Sequence, residues 1–105
     1  LILHLKRFSY GGWGSKIDTI VNFPVDEVLT LNPLSGAGSA QYDLFAVSQH
    51  YGSLYYGHYT AMTWHRGQKC WALADDGTFA PTSSSGDWGD RSKSAGYVLF
   101  YRLRQ

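Results

Sequence analysis

The sequence predicts a small, mainly β domain built on an antiparallel sheet with little helix. Apolar and polar residues alternate over several short runs, and glycine, proline or serine separates these runs. Eight tyrosines and four tryptophans are many for 105 residues, and aromatic side chains are enriched in strands. A hydrophobic content of 44% suffices for one modest core. We therefore expect a single domain without a long amphipathic helix.

Alternating runs predict strands over residues 1–8, 17–23, 42–51, 58–65, 69–75 and 97–103. Pro24 closes the second strand because proline cannot donate into a sheet ladder. Gly- and Ser-rich composition predicts turns or loops over residues 11–15, 32–41, 52–57, 66–67 and 76–89. Residues 25–31 fit either a helical turn or a short strand, and residues 90–95 fit one short helical turn.

Composition excludes several kinds of partner and site. A net charge of +1 and a pI near 8.1 give no basic bias, so we expect no nucleic acid, and no apolar run approaches a membrane span, so we expect no membrane. Cys70 is the only cysteine, which leaves no disulfide and no cysteine-based zinc site within the chain. We expect no cofactor and no metal. A reducing compartment, cytoplasmic or nuclear, fits this cysteine content.

Residues 50–61 form the candidate functional region. Gly52 and Gly57 bound a loop between two predicted strands, and glycine permits a tight turn or a close approach of ligand. His58 begins the second strand, and four tyrosines surround it: Tyr51, Tyr55, Tyr56 and Tyr59. We interpret His58 as a catalytic base that the surrounding chain holds in place.

A register argument pairs His58 with Asp75. If the next hairpin is centred on Arg66-Gly67, His58 lies opposite Asp75 and shares its face of the sheet. Opposed Cβ atoms are about 4.5–5.5 Å apart, so the carboxylate can hydrogen-bond the imidazole and orient it. Asp76 would point to the other face unless a bulge intervenes, and a one-residue slip would reverse this choice.

The residues alone leave the nucleophile unassigned. Cys70 lies several residues along the strand from His58, too far for proton transfer, and fits a small core hydrophobe. Serines 83–85 have no supporting motif. A histidine facing an aspartate at a hairpin mouth is more often a surface pair than a catalytic one. Lys6 and Arg7 fit a solvated strand end.

Six runs carry a resemblance to a known family: residues 3–8, 23–24, 42–47, 50–61, 71–76 and 95–101. In this order they resemble the C-terminal part of the ubiquitin-specific protease catalytic domain, over nearly the whole chain. The most specific element is the Gly-His-Tyr-Thr-Ala box at 57–61, with Leu-Lys-Arg-Phe before it and Tyr-Val-Leu-Phe-Tyr after it. Ala74 stands where the family usually has phenylalanine, and Tyr56 where glycine is common.

The resemblance implies an α+β, papain-like cysteine peptidase of thumb, palm and fingers that cleaves the bond after the Gly-Gly terminus of ubiquitin. Residues 1–105 would form the C-terminal palm segment, with His58 as general base and Asp75 or Asp76 orienting it. The nucleophilic cysteine, thumb and fingers would lie in an upstream segment absent here, so the chain alone would be inactive. Ubiquitin, ubiquitinated proteins and that cysteine-bearing half are the implied partners.

The resemblance also implies a channel for the ubiquitin tail, flanked by loops 11–15 and 52–57 and lined by Phe8, His50, Gly57, Tyr59 and Tyr101. A Gly-Gly tail has no side chains, so a narrow aromatic slot can reject bulkier sequences. Two alternatives remain: a catalytically silent ubiquitin-binding scaffold, and an aromatic-rich β domain that binds glycans or peptides without needing His58.

Overall fold

A computed structural model describes residues 1–9, 15–36, 38–53, 55–82 and 85–105, of which 85–87 are described in backbone only. Within these ranges the chain forms a seven-stranded antiparallel sheet, a two-stranded ribbon and a helix. The elements in order are β1 Ile2–His4, β2 Phe8–Ser9, β3 Ser15–Lys16, β4 Leu29–Leu31, β5 Ala40–Gly52, β6 Gly57–His65, β7 Cys70–Asp75, β8 Thr78–Pro81, α1 Ser85–Ala95 and β9 Gly96–Leu103.

Strand β5 is the centre of the sheet. The order is β1-β9-β5-β6-β7-β8, with β4 also paired to β5, while β2 and β3 form the separate ribbon. Consecutive strands β5, β6, β7 and β8 are joined as antiparallel hairpins, which keeps their connections short. The mainly antiparallel fold and the four later predicted strands are confirmed.

The segment after β7 is more regular than the sequence predicted. Asp76 and Gly77 make a two-residue turn that brings Thr78 opposite Asp75, so β8 follows directly. Asp-Gly between two strand-like runs is a strong hairpin signal. The expected loop over 76–89 is therefore wrong, since it holds β8 and the start of α1. The expected helical turn at 90–95 is the second half of that eleven-residue helix.

The predicted strand over residues 17–23 is wrong, and so is the solvated placement of Arg7. Residues 17–24 have no sheet partner, and Arg7 is only 3% exposed. Its guanidinium satisfies backbone acceptors instead, donating to the carbonyls of Ile17, Thr19, Lys93 and Gly96. Two of these acceptors, Ile17 and Thr19, belong to residues 17–24, so the Arg7 side chain satisfies carbonyls that a neighbouring strand would otherwise satisfy.

The remaining early predictions are confirmed in part. The first predicted strand is broken into β1 and β2, and the ambiguous segment 25–31 ends in the short strand β4. Of the loop predicted at 11–15, residues 11–14 lie outside the described residues and Ser15 begins β3. Within the loop predicted at 52–57, residue 54 also lies outside the described residues.

The core lies on the face of the sheet covered by α1 and the segment around Phe23. Its buried side chains are Phe23, Leu44, Val47, Met62, Trp71, Trp88, Leu99 and Tyr101. Val47 pairs with Met62 across β5 and β6. Because side chains alternate along a strand, the same face continues through Thr60 to His58. The core face thus ends at the candidate histidine. In the described part of the chain, no helix is long and apolar enough to cross a membrane.

Candidate functional site

His58 and Asp75 meet at the open end of the β6–β7 hairpin. Nε2 of His58 lies 2.6 Å from Oδ1 of Asp75, and both side chains are about half exposed, at 49% and 43%. This hydrogen bond, aided by the negative charge of Asp75 and then Asp76, raises the pKa of His58 above its usual value. The predicted pair is thus in hydrogen-bonding contact, which favours a charged or readily protonated imidazole.

The register that produces this contact differs from the predicted one by two residues. The turn comprises residues 66–69, with Lys69 at φ 51°, so His65 pairs with Cys70 and Ala61 with Ala74. Continued by one pair, this register places Asp75 opposite Thr60, diagonal to His58. Direct opposition was therefore wrong, but a shift of two residues keeps every side chain on its face, and diagonal neighbours remain within reach.

Asp76 lies beside the pair. Its backbone adopts the left-handed conformation, φ 48°, at the first position of the turn. Ligand atoms of His58, Asp75 and Asp76 all lie within 4.8 Å of one another, so the turn brings Asp76 closer than simple alternation would. In the structure Asp75 makes the hydrogen bond. Although three such groups can share a cation, exposed acidic clusters commonly occur without one, and we assign no metal here.

A groove of about 540 Å³ opens beside the pair, between α1 and the end of the core face. Its walls are Gln49, Tyr51, His58, Thr60, Met62, Leu73, Asp75, Pro81, Thr82, Trp88 and Arg91. Tyr51 stands opposite His58 in the β5–β6 ladder. Partial burial raises the pKa of the Tyr51 hydroxyl, while the positive charge of Arg91 opposes that shift. The groove therefore combines an apolar floor with polar groups around the imidazole.

Four of the predicted channel residues cluster on the opposite face of β5 and β6. His50 pairs with Tyr59, and its ring contacts Phe8 and Tyr59 edge-on at 5.0 and 4.8 Å. His50 is 2% exposed, and burial lowers its pKa, so it is neutral at pH 7. Gly57 packs so closely on this ring that a Cβ there would overlap it. Tyr59 leaves 54% of its surface exposed.

The structure does not bring Tyr101 to this cluster. Tyr101 is 2% exposed within the core, and its hydroxyl donates to the Pro24 carbonyl at 2.7 Å. Burial raises the pKa of this hydroxyl to about 12. Tyr101 therefore packs within the core, and the aromatic pattern of β9 alone could not distinguish a core tyrosine from a channel tyrosine.

Cys70 is remote from the histidine. It pairs with His65 at the far end of the hairpin from Asp75, and alternation along β7 places it on the opposite face. Its thiol is a free, half-buried group whose described contact is Gln68 Oε1 at 3.8 Å. Cys70 therefore cannot exchange a proton with His58 in this structure.

Sequence reasoning missed the buried polar residues beneath the pair. The Gln49 amide nitrogen donates to the Ser92 hydroxyl, and the Thr60 hydroxyl donates to Gln49 Oε1 at 2.9 Å. The available signal was a glutamine on the apolar face of β5, two residues from Val47. A buried amide requires partners, and they come from a neighbouring strand and from α1.

Comparison with known proteins places the chain in a family. The family model described as "Ubiquitin carboxyl-terminal hydrolase" matches residues 1–101. Ubiquitin carboxyl-terminal hydrolase 15 of Bos taurus is 38% identical over 97% of this chain and 11% of its own length. Ubiquitin carboxyl-terminal hydrolase 4 of Mus musculus is 42% identical over 99% of this chain and 11% of its own length. The chain thus spans about a tenth of the curated relatives it matches.

Solved structures support the same family assignment. A yeast SAGA DUB module matches with a TM-score of 0.82 and 30% identity, covering 100% of this chain and 23% of that chain. A SAGA DUB module bound to monoubiquitin matches with a TM-score of 0.83 and 28% identity, again over 100% and 23%. The family match covers almost every residue and the structural match covers the whole chain. The chain therefore belongs to the ubiquitin carboxyl-terminal hydrolase family, among the ubiquitin-specific proteases.

Proposed function

We propose that this chain carries the histidine and aspartate of a cysteine-type deubiquitinase that cleaves the bond after the Gly-Gly terminus of ubiquitin. His58 is the general base and Asp75 orients it, with Asp76 adding negative charge nearby. The observation that carries this proposal is the 2.6 Å contact between Nε2 of His58 and Oδ1 of Asp75 beside an open groove. Membership of the family supports a catalytic role for this contact over a chance surface pair.

We propose different tasks for the two ring nitrogens of His58. Nε2 contacts Asp75, and no described residue hydrogen-bonds Nδ1. This arrangement supports Nδ1 as the atom that accepts the proton of the nucleophile. The imidazolium then returns this proton to the leaving amine as the acyl-enzyme forms, and neutral imidazole next deprotonates the hydrolytic water. Because Asp75 raises the pKa of His58, it favours the imidazolium that pairs with a thiolate.

The nucleophile is proposed to be a cysteine in another part of the same protein. Cys70 is the only cysteine of this chain, and it lies on the wrong face and at the wrong end of the hairpin. Residues 1–105 are then the C-terminal palm segment of the catalytic domain, inactive alone and completed by the cysteine-bearing part. We propose the cytoplasm or nucleus as its compartment, since a free thiol suits a reducing environment.

Ubiquitin is the proposed partner. One solved structural neighbour is bound to monoubiquitin and another to ubiquitin aldehyde, which supports the same ligand class for this chain. Phe8, His50, Gly57 and Tyr59 are proposed to contact the ubiquitin tail. Support comes from the exposed Tyr59 ring, which packs edge-on against the buried His50 ring and offers an aromatic surface suited to a tail without side chains.

The test compares full-length wild type, His58→Ala and His65→Ala, using ubiquitin with a fluorogenic C-terminal amide. We expect His58→Ala to lower kcat by about 10²- to 10⁴-fold, and His65→Ala, at the other end of β6, to retain turnover. Ubiquitin bearing a thiol-reactive C-terminus should label a cysteine outside residues 1–105 of the wild type. Full turnover by His58→Ala, or a label on Cys70, would contradict the mechanism. Ubiquitin binding without label or turnover would favour a silent scaffold.

A further inference from the structure

A buried hydrogen-bonded bridge, Ser92–Gln49–Thr60, joins α1 to β5 and β6. Gln49 uses both ends of its amide: the nitrogen donates to Ser92 and the oxygen accepts from Thr60. The exposed fractions are 0% for Ser92, 2% for Gln49 and 8% for Thr60. Since each group would be costly to bury without its partner, the bridge holds the three elements in one arrangement.

The bridge reaches the sheet where the ladder between β6 and β7 has stopped. The β6–β7 ladder runs from His65–Cys70 at the turn to Ala61–Ala74, so residues 58–60 of β6 are paired with β5 alone. Thr60 is the cross-strand partner of Gln49 and shares the face of His58. The bridge therefore connects the core face of this strand end to α1, while Tyr59 contacts His50 and Tyr97 on the opposite face.

We propose that the Ser92–Gln49–Thr60 bridge is a positioning element that holds His58 against Asp75. Both side chains of the pair are about half exposed, so burial alone does not fix their rotamers. The contact between His58 and Asp75 depends on the position of the first residues of β6 relative to the last residue of β7. Thr60 anchors this part of β6 to Gln49. The bridge residues hold the strand and exchange no protons, and the effect on turnover rests on the proposed function.

The decisive variants are Thr60→Val and Ser92→Ala in the full-length protein. Valine keeps the shape of threonine but removes the donor, whereas Ser92 lies on α1 and does not line the groove. Both should lower the pKa of His58 toward its ordinary value, read by NMR of ¹³C-labelled histidine and assigned with His58→Gln. Both should lower kcat/KM by about tenfold through kcat, because small misplacements weaken catalysis. Thr60→Ser retains the donor and should restore both values.

Thr63→Val is the matched control, because Thr63 lies on the same strand and opposite face, with its hydroxyl 3.2 Å from Nε2 of His65. It should leave the pKa of His58 unchanged. The proposal is overturned if Thr60→Val and Ser92→Ala alter only thermal stability, or if Thr63→Val shifts the pKa equally. The pKa of His58 is measured without turnover. It therefore tests the positioning role of the bridge even if His58→Ala proves active and the proposed function fails.

Discussion

Replacing Arg7 with methionine is expected to loosen the segment that follows β3. The wild-type guanidinium is 3% exposed and donates to four backbone carbonyls, those of Ile17, Thr19, Lys93 and Gly96. Methionine keeps an apolar stem of similar reach but has no donor. The substitution therefore removes hydrogen bonds that tie the segment to the junction of α1 and β9 while leaving most of the packing.

The size of the destabilisation depends on which of the four carbonyls water can hydrate after the substitution. Ile17 and Thr19 are exposed, so their carbonyls can be hydrated after the substitution, and the half-buried Lys93 carbonyl keeps the Val21 amide as a donor, whereas Gly96 is buried. Each buried acceptor left without a donor costs about 1–3 kcal/mol. Methionine also avoids the cost of burying the charge of Arg7, which offsets part of this loss. We expect a net local destabilisation of about 2 kcal/mol.

Amide hydrogen exchange measures this local loss in the full-length protein. The Val21 amide donates to the Lys93 carbonyl at 2.8 Å and reports whether the segment is closed. A loss of about 2 kcal/mol corresponds to exchange about 30-fold faster. Arg7→Lys should be intermediate because an ammonium lacks the planar fork, and Lys6→Met, a neighbouring exposed cation, should change nothing. Equal exchange in Arg7→Met and wild type would refute the reasoning.

Three further substitutions test the site and its support. Gly57→Ala should lower unfolding stability by about 2 kcal/mol, because its Cβ would overlap the His50 ring; thermal unfolding measures this, and His50→Ala added to it should recover part of the loss. Asp75→Asn should lower the pKa of His58, since the carboxylate raises it; the acid limb of kcat/KM should move to lower pH, and an unmoved limb would contradict the pairing. Tyr101→Phe should cost about 1 kcal/mol in denaturant unfolding, because it loses a hydroxyl–carbonyl bond; no loss would contradict that bond.

The pairing of His58 and Asp75 was predictable, although its register was not. Alternation along two strands places both side chains on one face whenever the turn length changes by an even number. The length of the turn depends on Lys69 adopting a left-handed backbone conformation, φ 51°. A lysine at this position does not predict that conformation. The Asp76-Gly77 turn was readable from its dipeptide, and the β8 strand that follows could have been predicted with it.

Residues 17–23 show where local pattern misleads. Their apolar alternation satisfies the preferences of a strand, yet a strand also needs a neighbour with free hydrogen-bonding groups. In the fold, the Arg7 guanidinium donates to the carbonyls of Ile17 and Thr19, in the place where a neighbouring strand would donate. Nothing in the periodicity of residues 1–24 specifies this, because the guanidinium is held in place by Gly96 and Lys93, far away in the chain.

By itself the sequence determined the antiparallel sheet, its four later strands, the shared face of His58 and Asp75, and the family resemblance. Each of these depends on residues close together in the chain or on a motif in a fixed order. Only the tertiary structure decided that Arg7 and Tyr101 are buried and that Gln49 joins Thr60 to Ser92. Periodicity reports which face of its own element a residue occupies. Which distant segment packs against that face depends on the whole chain closing around one core.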